Sequence, residues 1–198
     1  MTYPKLVVRA KEEFRLLAGH PWAFSNELIS VPRDIATGSV VTLVREKGGD
    51  AIAHALYNPH SLIAARILTR DVSEQIDADF FARRISAAAA RRALLMTRRN
   101  AVRLVHGEAD WLPGLIVDKF NDVIAFQIVS AGMESQRDVI VSLLKEKFSP
   151  RTIVEKNNSY LRTLEGLPQR EDILFGDNAE AEFHDTAGTT FQIGRAHV

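Results

Sequence analysis

Residues 40–56 read VVTLVREKGGDAIAHAL and predict the first fold element of the chain. Two apolar runs, Val40–Val44 and Ala51–Leu56, flank the turn signal Gly48-Gly49-Asp50. Alternation of apolar and β-branched residues around such a turn is typical of two strands joined as a hairpin. The same kind of apolar cluster recurs on both sides of the hairpin, at Leu6–Val8 and Leu62–Leu68.

A short helix is predicted before this hairpin. It spans Lys11–Ala18, and Gly19 follows as a residue able to adopt the left-handed conformation that ends helices. Pro21, Pro32, Gly38 and Asn58-Pro59 mark further turns between the apolar clusters. We therefore expect residues 1–70 to form a small β-barrel with one short helix.

A polar linker and a basic helix are predicted next. Residues 71–79 are polar, and Asp79 is a plausible N-cap for the segment that follows. Phe80–Arg99 has no Gly, no Pro and no acidic side chain, and its centre is rich in Ala. This composition predicts a helix, and residues 71–100 are assigned to the linker and this helix.

Six arginines occupy about half of the circumference of this predicted helix, given about 100° per residue, while Ile85, Ala89, Ala93 and Met96 gather on the other half. We name this set the arginine stripe, and it consists of Arg83, Arg84, Arg91, Arg92, Arg98 and Arg99. Two interpretations stay open: a solvated helix face, or a surface that follows phosphates, because unpaired arginines repel one another without anions.

The second half of the chain predicts a strand-strand-helix-strand-strand order. Leu115–Phe120 and Val123–Val129 alternate around Asn121-Asp122 as a hairpin, and Met133–Phe148 has helical spacing and stops before Pro150. Further short strands and a closing hairpin are predicted at Thr152–Val154, Ile173–Phe175 and Glu180–Ile193, the last turning at Thr186–Gly188. Residues 101–193 are therefore expected to form an α+β domain with a helix packed on a sheet, and the whole chain an α+β protein.

Length and composition limit the function classes. The 198 residues suffice for one large domain or two small ones. Apolar residues make up 46% and charged residues 25%, as in an average globular protein. With no long apolar segment and no secretion signal, we expect a cytoplasmic protein without a membrane partner. The net charge is zero, but residues 1–99 carry +5 and the remainder −5, so a polyanion would meet the first half.

Several chemistries are excluded or disfavoured. The chain has no cysteine, which removes disulfides, zinc-thiolate sites and thiolate nucleophiles. It has no G-x-G-x-x-G loop and no Walker phosphate loop, and its six histidines do not form a zinc motif, so no metal is expected. His106, Glu108 and Asp110 are the one triad-like string: on a strand they could hold a cation or shuttle protons, whereas in a turn they would serve structural hydrogen bonds.

Two turns concentrate aromatic, amide, histidine and hydroxyl side chains. They are Gly19–Asn26 and Tyr57–Ser61. Such side chains can stack on unpaired bases and bind their edges. The alternative is that Trp22 and Phe24 belong to the barrel core while Pro21 and Pro59 shape the turns.

The sequence resembles the bacterial class I S-adenosylmethionine-dependent 23S ribosomal RNA cytosine-C5 methyltransferases that carry an N-terminal PUA domain. The resemblance runs through nearly the whole chain, roughly residues 5–193. The matching strings are His20–Glu27, Tyr57–Ser61, Arg103–Asp110, Leu112–Asp118, Ser130–Glu134 and Leu164–Pro168.

This resemblance implies a PUA domain, a central α+β domain and a Rossmann-like catalytic domain. The family's chemistry uses a cysteine thiolate that adds to C6 of cytosine and a methyl group from S-adenosylmethionine. This chain has neither a cysteine nor a cofactor loop. We therefore expect a truncated, inactive methyltransferase chain with no catalytic residue and no bound cofactor, whose residues 194–198 depart from the family pattern.

Three functional hypotheses follow. The first is the RNA-recognition part of an rRNA methyltransferase with 23S rRNA as partner, its contacts being Arg15, His20, Trp22, Asn26, Tyr57, Asn58 and Arg66 together with the arginine stripe. The second is a non-catalytic interaction module that packs against a Rossmann-type partner or forms a homodimer. The third is a metal hydrolase that uses His106, Glu108 and Asp110.

Overall fold

The computed structural model describes residues 2–29, 34–177, 179–184 and 190–193. The strands are β1 (Lys5–Val8), β2 (Trp22–Ala23), β3 (Leu28–Ile29), β4 (Val40–Arg45), β5 (Ala51–Tyr57), β6 (Ala65–Thr69), β7 (Ala101–His106), β8 (Leu115–Phe120), β9 (Val123–Ile128), β10 (Thr152–Asn157), β11 (Arg170–Phe175), β12 (Ala181–His184) and β13 (Thr190–Ile193). The α-helices are α1 (Glu13–Leu17), α2 (Ala78–Arg91), α3 (Ala93–Arg98), α4 (Ala131–Glu134), α5 (Arg137–Phe148) and α6 (Leu161–Leu164).

The first six strands form a nearly closed barrel. Their order in the sheet is β2-β6-β5-β4-β1-β3. The two edge strands β2 and β3 are joined by Phe24 and the 3₁₀ turn Ser25–Glu27, so the two edges of the sheet are neighbours along the chain. The predicted β4–β5 hairpin is confirmed, and Gly48 and Gly49 supply the positive φ angles, 85° and 72°, that its turn requires.

The predicted short helix of this unit is confirmed as α1, and Gly19 lies just beyond its end with φ 111°. The predicted strand at Leu62–Leu68 begins later, at Ala65. The preceding residues instead form a turn in which the backbone N–H of His60 donates to the side-chain carbonyl of Asn58.

The second sheet has the order β11-β10-β9-β8-β7. Neighbouring strands are antiparallel except β9 and β10, which are parallel and connected through α4 and α5. Strand β7 is an element that the sequence pattern did not indicate. A register shift between Arg103 and Val105 places the adjacent residues Leu104 and Val105 both in the interior, which removes the alternation expected of a strand.

Three predicted helix features are wrong. The N-cap of α2 is Asp77, whose carboxylate accepts the backbone N–H of Phe80 at 2.9 Å, and Asp79 lies in the first turn. The predicted helix Phe80–Arg99 breaks at Arg92, where φ is −110° and ψ 7°, into α2 and α3. Of the predicted apolar face, Ile85 and Ala89 are buried, whereas Ala93, in α3, is exposed.

The predicted helix Met133–Phe148 is also two helices, α4 and α5. Ser130 caps α4, and Ser135 follows it. The Ser135 hydroxyl donates to the carbonyl of Gly38 in the barrel at 3.1 Å. The break between α4 and α5 therefore lies where the second sheet touches the barrel.

The predicted closing hairpin is confirmed in its strands. Strands β12 and β13 pair antiparallel, from Ala181 opposite Ile193 to His184 opposite Thr190. The predicted turn at 186–188 and the tail at 194–198 lie outside the described residues.

The barrel and the second sheet share a hydrophobic core. Leu56 and Leu68 of the barrel belong to the same buried cluster as Phe80 and Phe81 of α2 and Leu104 of β7. Gly132 of α4 packs so closely that a Cβ atom there would lie 2.3 Å from Cβ of Leu56. This close packing fixes the position of the barrel relative to α4 and the second sheet.

Within the described part of the chain, no helix has the length and apolar character needed to cross a bilayer.

Candidate nucleic-acid interface

The arginine stripe is largely paired with carboxylates from outside its own helices. Arg83 and Arg84 both face Glu74, at 3.5 and 3.2 Å, and Arg91 and Arg92 both bind Asp110. Although residues 80–99 contain no acidic side chain, these four arginines have carboxylate partners from other parts of the chain. Each carboxylate serves two guanidinium groups, so each of the two clusters keeps one uncompensated positive charge.

Asp110 is the more deeply set of these two carboxylates. Burial alone would raise its pKa, but hydrogen bonds from Arg92, Arg91 and the backbone N–H of His106 outweigh burial and hold the pKa below its ordinary value. The N–O distances to the two arginines are 2.6 to 3.0 Å. Asp110 therefore stays ionised at neutral pH and holds the guanidinium groups of Arg91 and Arg92 in place.

The far end of the stripe forms a separate pocket of about 420 Å³, which we name the Arg98 pocket. It carries three cationic side chains, those of Arg98, Arg99 and Lys119, and no carboxylate lines it. The lining residues are Met96, Thr97, Arg98, Arg99, Asn100, Lys119 and Asn121. The nearby Asp122, whose charge acts on Lys119, is itself bound to Arg151. The pocket therefore keeps an excess of positive charge, which favours an anion such as a phosphate.

We name Gly19–Asn26 the aromatic turn, and it packs against the guanidinium of Arg15. The guanidinium of Arg15 binds Glu27 at 2.5 Å and the carbonyl of Trp22 at 3.0 Å, and it lies 5.0 Å from the ring centre of Phe24. His20 meets the ring of Trp22 edge-on at 5.8 Å. Asn26 is exposed in the 3₁₀ turn. Trp22 and Phe24 are half-buried. This degree of burial does not distinguish a place in the barrel core from a surface on which bases stack.

Trp22 also connects the barrel to the second sheet. Its indole Nε1 donates to Glu108 at 2.9 Å, and Arg66 lies over the indole ring at 5.8 Å while facing Glu108 at 3.3 Å. The edge of Trp22 is thus occupied by protein contacts.

Glu165 is the centre of a buried cluster between the barrel and the second sheet, which we name the junction network. Its carboxylate accepts hydrogen bonds from Asn58 at 2.9 Å, Ser61 at 2.7 Å and Arg66 at 2.9 Å, and from the backbone N–H of Ala131. Burial acts to raise the pKa of Glu165, but the hydrogen bonds and the charge of Arg66 outweigh it, and the pKa is lowered.

Two predicted RNA contacts, Tyr57 and Asn58, are buried in the structure. Asn58 and Tyr57 are each only 3% exposed, Asn58 because it binds Glu165 and Tyr57 because it lies in the barrel core. Burial also raises the pKa of Tyr57. RNA could not reach these two side chains in this structure, so both are withdrawn from the candidate interface. The RNA contacts predicted for Arg15 and Arg66 stay untested, and since both guanidinium groups are paired with carboxylates of the protein, neither belongs to the interface that we propose.

His106, Glu108 and Asp110 do not meet at one point. His106 ends β7, and the other two lie in the 3₁₀ turn Gly107–Asp110, with Glu108 bound to Trp22 and Asp110 to the arginine stripe. These contacts agree with the interpretation that the three residues lie in a turn and make structural hydrogen bonds. Among the described residues, no group of three or more His, Asp or Glu side chains is placed to hold a metal ion.

Sequence reasoning missed four residues of this region: Arg70, Trp111, Lys119 and Glu165. Trp111 had a visible signal, since it is a large aromatic residue within the turn-rich string Gly107–Gly114. It borders an open groove together with Arg70 and Arg84. Glu165 had no local signal, because its partner Asn58 is 107 residues away.

Residues 6–70 match the family of PUA-like domains. Over 167 residues the chain is 36% identical to the ribosomal RNA large subunit methyltransferase I of Tolumonas auensis, covering 83% of this chain and 42% of that protein. It is 34% identical over 175 residues to the protein of the same name from Yersinia pseudotuberculosis, covering 87% and 44%. The chain thus spans less than half the length of the curated relatives it matches.

Solved structures show the same fold. The chain superposes on SMU.776, a protein described as a methyltransferase and crystallised with SAH, with a TM-score of 0.79 and 17% identity over 96% of this chain and 48% of that one. A SAM-dependent methyltransferase from Streptococcus mutans gives a TM-score of 0.78, with the same identity and coverage.

The PUA-like barrel, the α+β layer packed on it and the sequence similarity over most of the chain agree with one another. This chain belongs to the family of large-subunit ribosomal RNA methyltransferases that carry a PUA domain.

Proposed function

We propose that this chain is the RNA-recognition part of an S-adenosylmethionine-dependent rRNA methyltransferase. The observation that carries the proposal is the excess of guanidinium groups over carboxylates along the arginine stripe, which continues into the acid-free Arg98 pocket. Such a surplus attracts the phosphates of a nucleic acid and releases its counterions on binding.

The turn Gly19–Asn26 adds side chains of another kind. Asn26 is exposed, and His20 and Trp22 are half-exposed on the aromatic turn, where they offer hydrogen-bonding groups and rings to unpaired bases. The relatives act, by their names, on the RNA of the large ribosomal subunit. These observations support 23S rRNA as the partner and, through the family resemblance, cytosine C5 as the methylated position.

The described residues do not fit S-adenosylmethionine. Cofactors of α/β folds bind at the carboxyl ends of parallel strands. In this chain the end of β9 is closed, because Ser130, Ala131 and Met133 are buried and Gly132 packs against Leu56. The chain also lacks the cysteine that the C5 reaction uses. We therefore expect the purified chain to transfer no methyl group from labelled S-adenosylmethionine to rRNA.

Salt-dependent RNA binding tests the proposal. We expect the logarithm of the association constant for a 23S rRNA fragment to fall linearly with the logarithm of salt concentration, by about 0.7 per neutralised phosphate of a single strand. The double variant Arg98→Glu/Arg99→Glu should bind more weakly and with a shallower slope, because the net charge of the Arg98 pocket changes from positive to negative.

The matched control is Lys5→Glu/Lys47→Glu, which makes the same change of net charge at two exposed lysines outside the arginine stripe and the Arg98 pocket. It should bind with a slope close to that of the unchanged chain. A flat salt dependence for the unchanged chain, or equal losses in both double variants, would contradict the proposed function.

A second candidate function, a non-catalytic interaction module, is favoured by a different observation. Tyr160, Leu161 and Leu164 expose large apolar side chains around α6, and Leu62 does so next to Ser61, which binds Glu165 just after that helix. Self-association through this patch would appear in light scattering as a mass that falls towards 22.1 kDa when Leu161 and Leu164 are changed to Ser. A monomeric mass in the unchanged chain would exclude the homodimer.

A further inference from the structure

Trp111 stands at the edge of an open groove between the barrel and α2. The groove has a volume of about 590 Å³ and is bordered by the end of α1, the end of β6 and the first half of α2. This volume is within the range of about 300 to 1,000 Å³ of small-molecule sites. We name it the Trp111 groove, and its lining consists of Leu17, Ala18, Gly19, Thr69, Arg70, Arg84 and Trp111.

The position of Trp111 is determined by its neighbours. Asp110 before it is buried and bound to two arginines, and Leu112 after it is fully buried. Trp111 itself adopts the left-handed conformation, with φ 59° and ψ 33°, which bulky residues rarely adopt. The residue as a whole remains 37% exposed. The fold thus presents a large aromatic ring to the groove instead of burying it.

Two guanidinium groups accompany this ring. Arg70 lies over the indole, with its Cζ 5.1 Å from the ring centre, and donates hydrogen bonds to the carbonyls of Leu16 and His20. Among the described residues Arg70 has no carboxylate partner, and the neighbouring Asp71 turns its carboxylate to Ser73. The pKa of Arg70 is lowered by burial.

Arg84 borders the same groove from α2. Its guanidinium lies 4.9 Å from the ring centre of Phe80 and shares Glu74 with Arg83, so this pair also retains positive charge. An exposed aromatic ring that shares a groove with two cationic groups is complementary to a flat, uncharged group linked to an anion. An unpaired nucleotide has this chemistry.

We propose that the Trp111 groove binds one unpaired nucleotide of the RNA, with its base against Trp111 and Arg70 and its phosphate on Arg84. This inference rests on the proposed function and extends it by naming a base-binding subsite that phosphate contacts alone would not create. A base stacked on an aromatic side chain binds largely irrespective of its sequence, because every base has a π-face.

The test compares Trp111→Ala with Tyr160→Ala, which removes another exposed aromatic side chain outside the groove. For a short unpaired RNA, Trp111→Ala should lower affinity by about 5- to 150-fold, the loss expected from one stacked base. Trp111→Phe should retain most of the affinity, and Tyr160→Ala all of it. With an abasic oligonucleotide, which keeps the phosphates, the penalty of Trp111→Ala should disappear.

A second measurement does not depend on the stability of the alanine variant. Saturating RNA should quench the tryptophan fluorescence of the unchanged chain more strongly than that of Trp111→Phe, in which Trp22 is the sole tryptophan. No such difference in quenching, or equal affinities of Trp111→Ala and the unchanged chain, would overturn this inference while salt-dependent RNA binding leaves the proposed function intact. Quenching by an apolar peptide and not by RNA would overturn the inference in favour of a protein ligand. If the unchanged chain binds no RNA, the proposed function itself fails.

Discussion

The junction network and the Trp111 groove each have an arginine that lies over a tryptophan ring, Arg66 over Trp22 and Arg70 over Trp111, but they differ in their balance of charge. In the junction network, Arg66 faces two carboxylates, Glu108 and Glu165, and no positive charge is left over. Around the Trp111 groove, arginines outnumber carboxylates. We therefore expect an arginine beside an aromatic ring to contact RNA only where tertiary contacts leave its charge uncompensated. By this criterion the junction network holds the fold, and the Trp111 groove is the part that we propose to bind RNA.

The largest effect should come from breaking the junction network. Glu165→Ala would leave Arg66 facing the interior with only Glu108 and would remove the acceptor of Asn58 and Ser61. Loss of one partner of a buried ion pair costs about 3–5 kcal/mol of unfolding free energy. Urea denaturation measures this loss. The folded variant should still bind RNA as the unchanged chain does.

Glu165→Gln is the control for that change. It keeps the size of the side chain and a carbonyl acceptor, so its loss of stability should be smaller than that of the alanine variant. Equal, small losses for both variants would show that the junction network contributes little to the fold.

Asp110→Asn should move stability and RNA affinity in opposite directions. It removes the carboxylate between Arg91 and Arg92, which lowers the unfolding free energy by roughly 1–3 kcal/mol. It also leaves both arginines uncompensated, which should strengthen RNA binding and steepen its salt dependence. Anisotropy titrations at several salt concentrations, combined with urea denaturation, measure the two effects.

Asp118→Asn is matched to this variant in charge. Among the described residues Asp118 pairs only with Arg103, at 2.8 Å, on a partly exposed face of β7 and β8. It should alter both stability and RNA affinity little, since exposed ion pairs contribute about 0–1 kcal/mol. A gain in RNA affinity equal to that of Asp110→Asn would mean that net charge, and not its location, controls binding.

Acid should weaken the fold through the same carboxylates. The pKa values of Glu165 and Asp110 are lowered in the folded chain, so their contribution to stability is complete above the ordinary values of about 4.3 and 3.9 and is lost as pH falls through the lower folded values. Urea midpoints should therefore drop steeply below about pH 4. Glu165→Gln should flatten that drop, and an unchanged pH profile in this variant would contradict the assignment.

The local elements could be predicted from the sequence because their signals are local. The Gly48-Gly49 turn between two apolar runs predicts the β4–β5 hairpin, and Gly19 marks the end of α1. Strand β7 was missed because its bulge buries two adjacent residues. The break at Arg92 coincides with the bonds of that guanidinium to the carbonyl of Ala88 and to Asp110, in a distant segment.

The sequence predicted which residue types occur in the candidate site, but not which side chains form ion pairs and hydrogen bonds with one another. Arg91 and Arg92 are visible as a basic pair, yet both bind Asp110, which lies 19 and 18 residues further along the chain and balances one of the two charges. Asn58 sits in a turn that suggests exposure, and it is buried because Glu165 reaches it from 107 residues away. Such contacts depend on how the barrel and the second sheet pack, which no local pattern records.

The central claim is that arginines with uncompensated charge, and not those paired one to one, bind RNA. Arg83 and Arg103 test it most directly, because both are exposed, at 58% and 47%, but Arg83 shares Glu74 with Arg84 while Arg103 has Asp118 to itself. Removing one charge by Arg83→Gln should make the salt slope of RNA binding shallower by about 0.7, whereas Arg103→Gln should leave it unchanged. Equal slopes for the two variants would contradict the account.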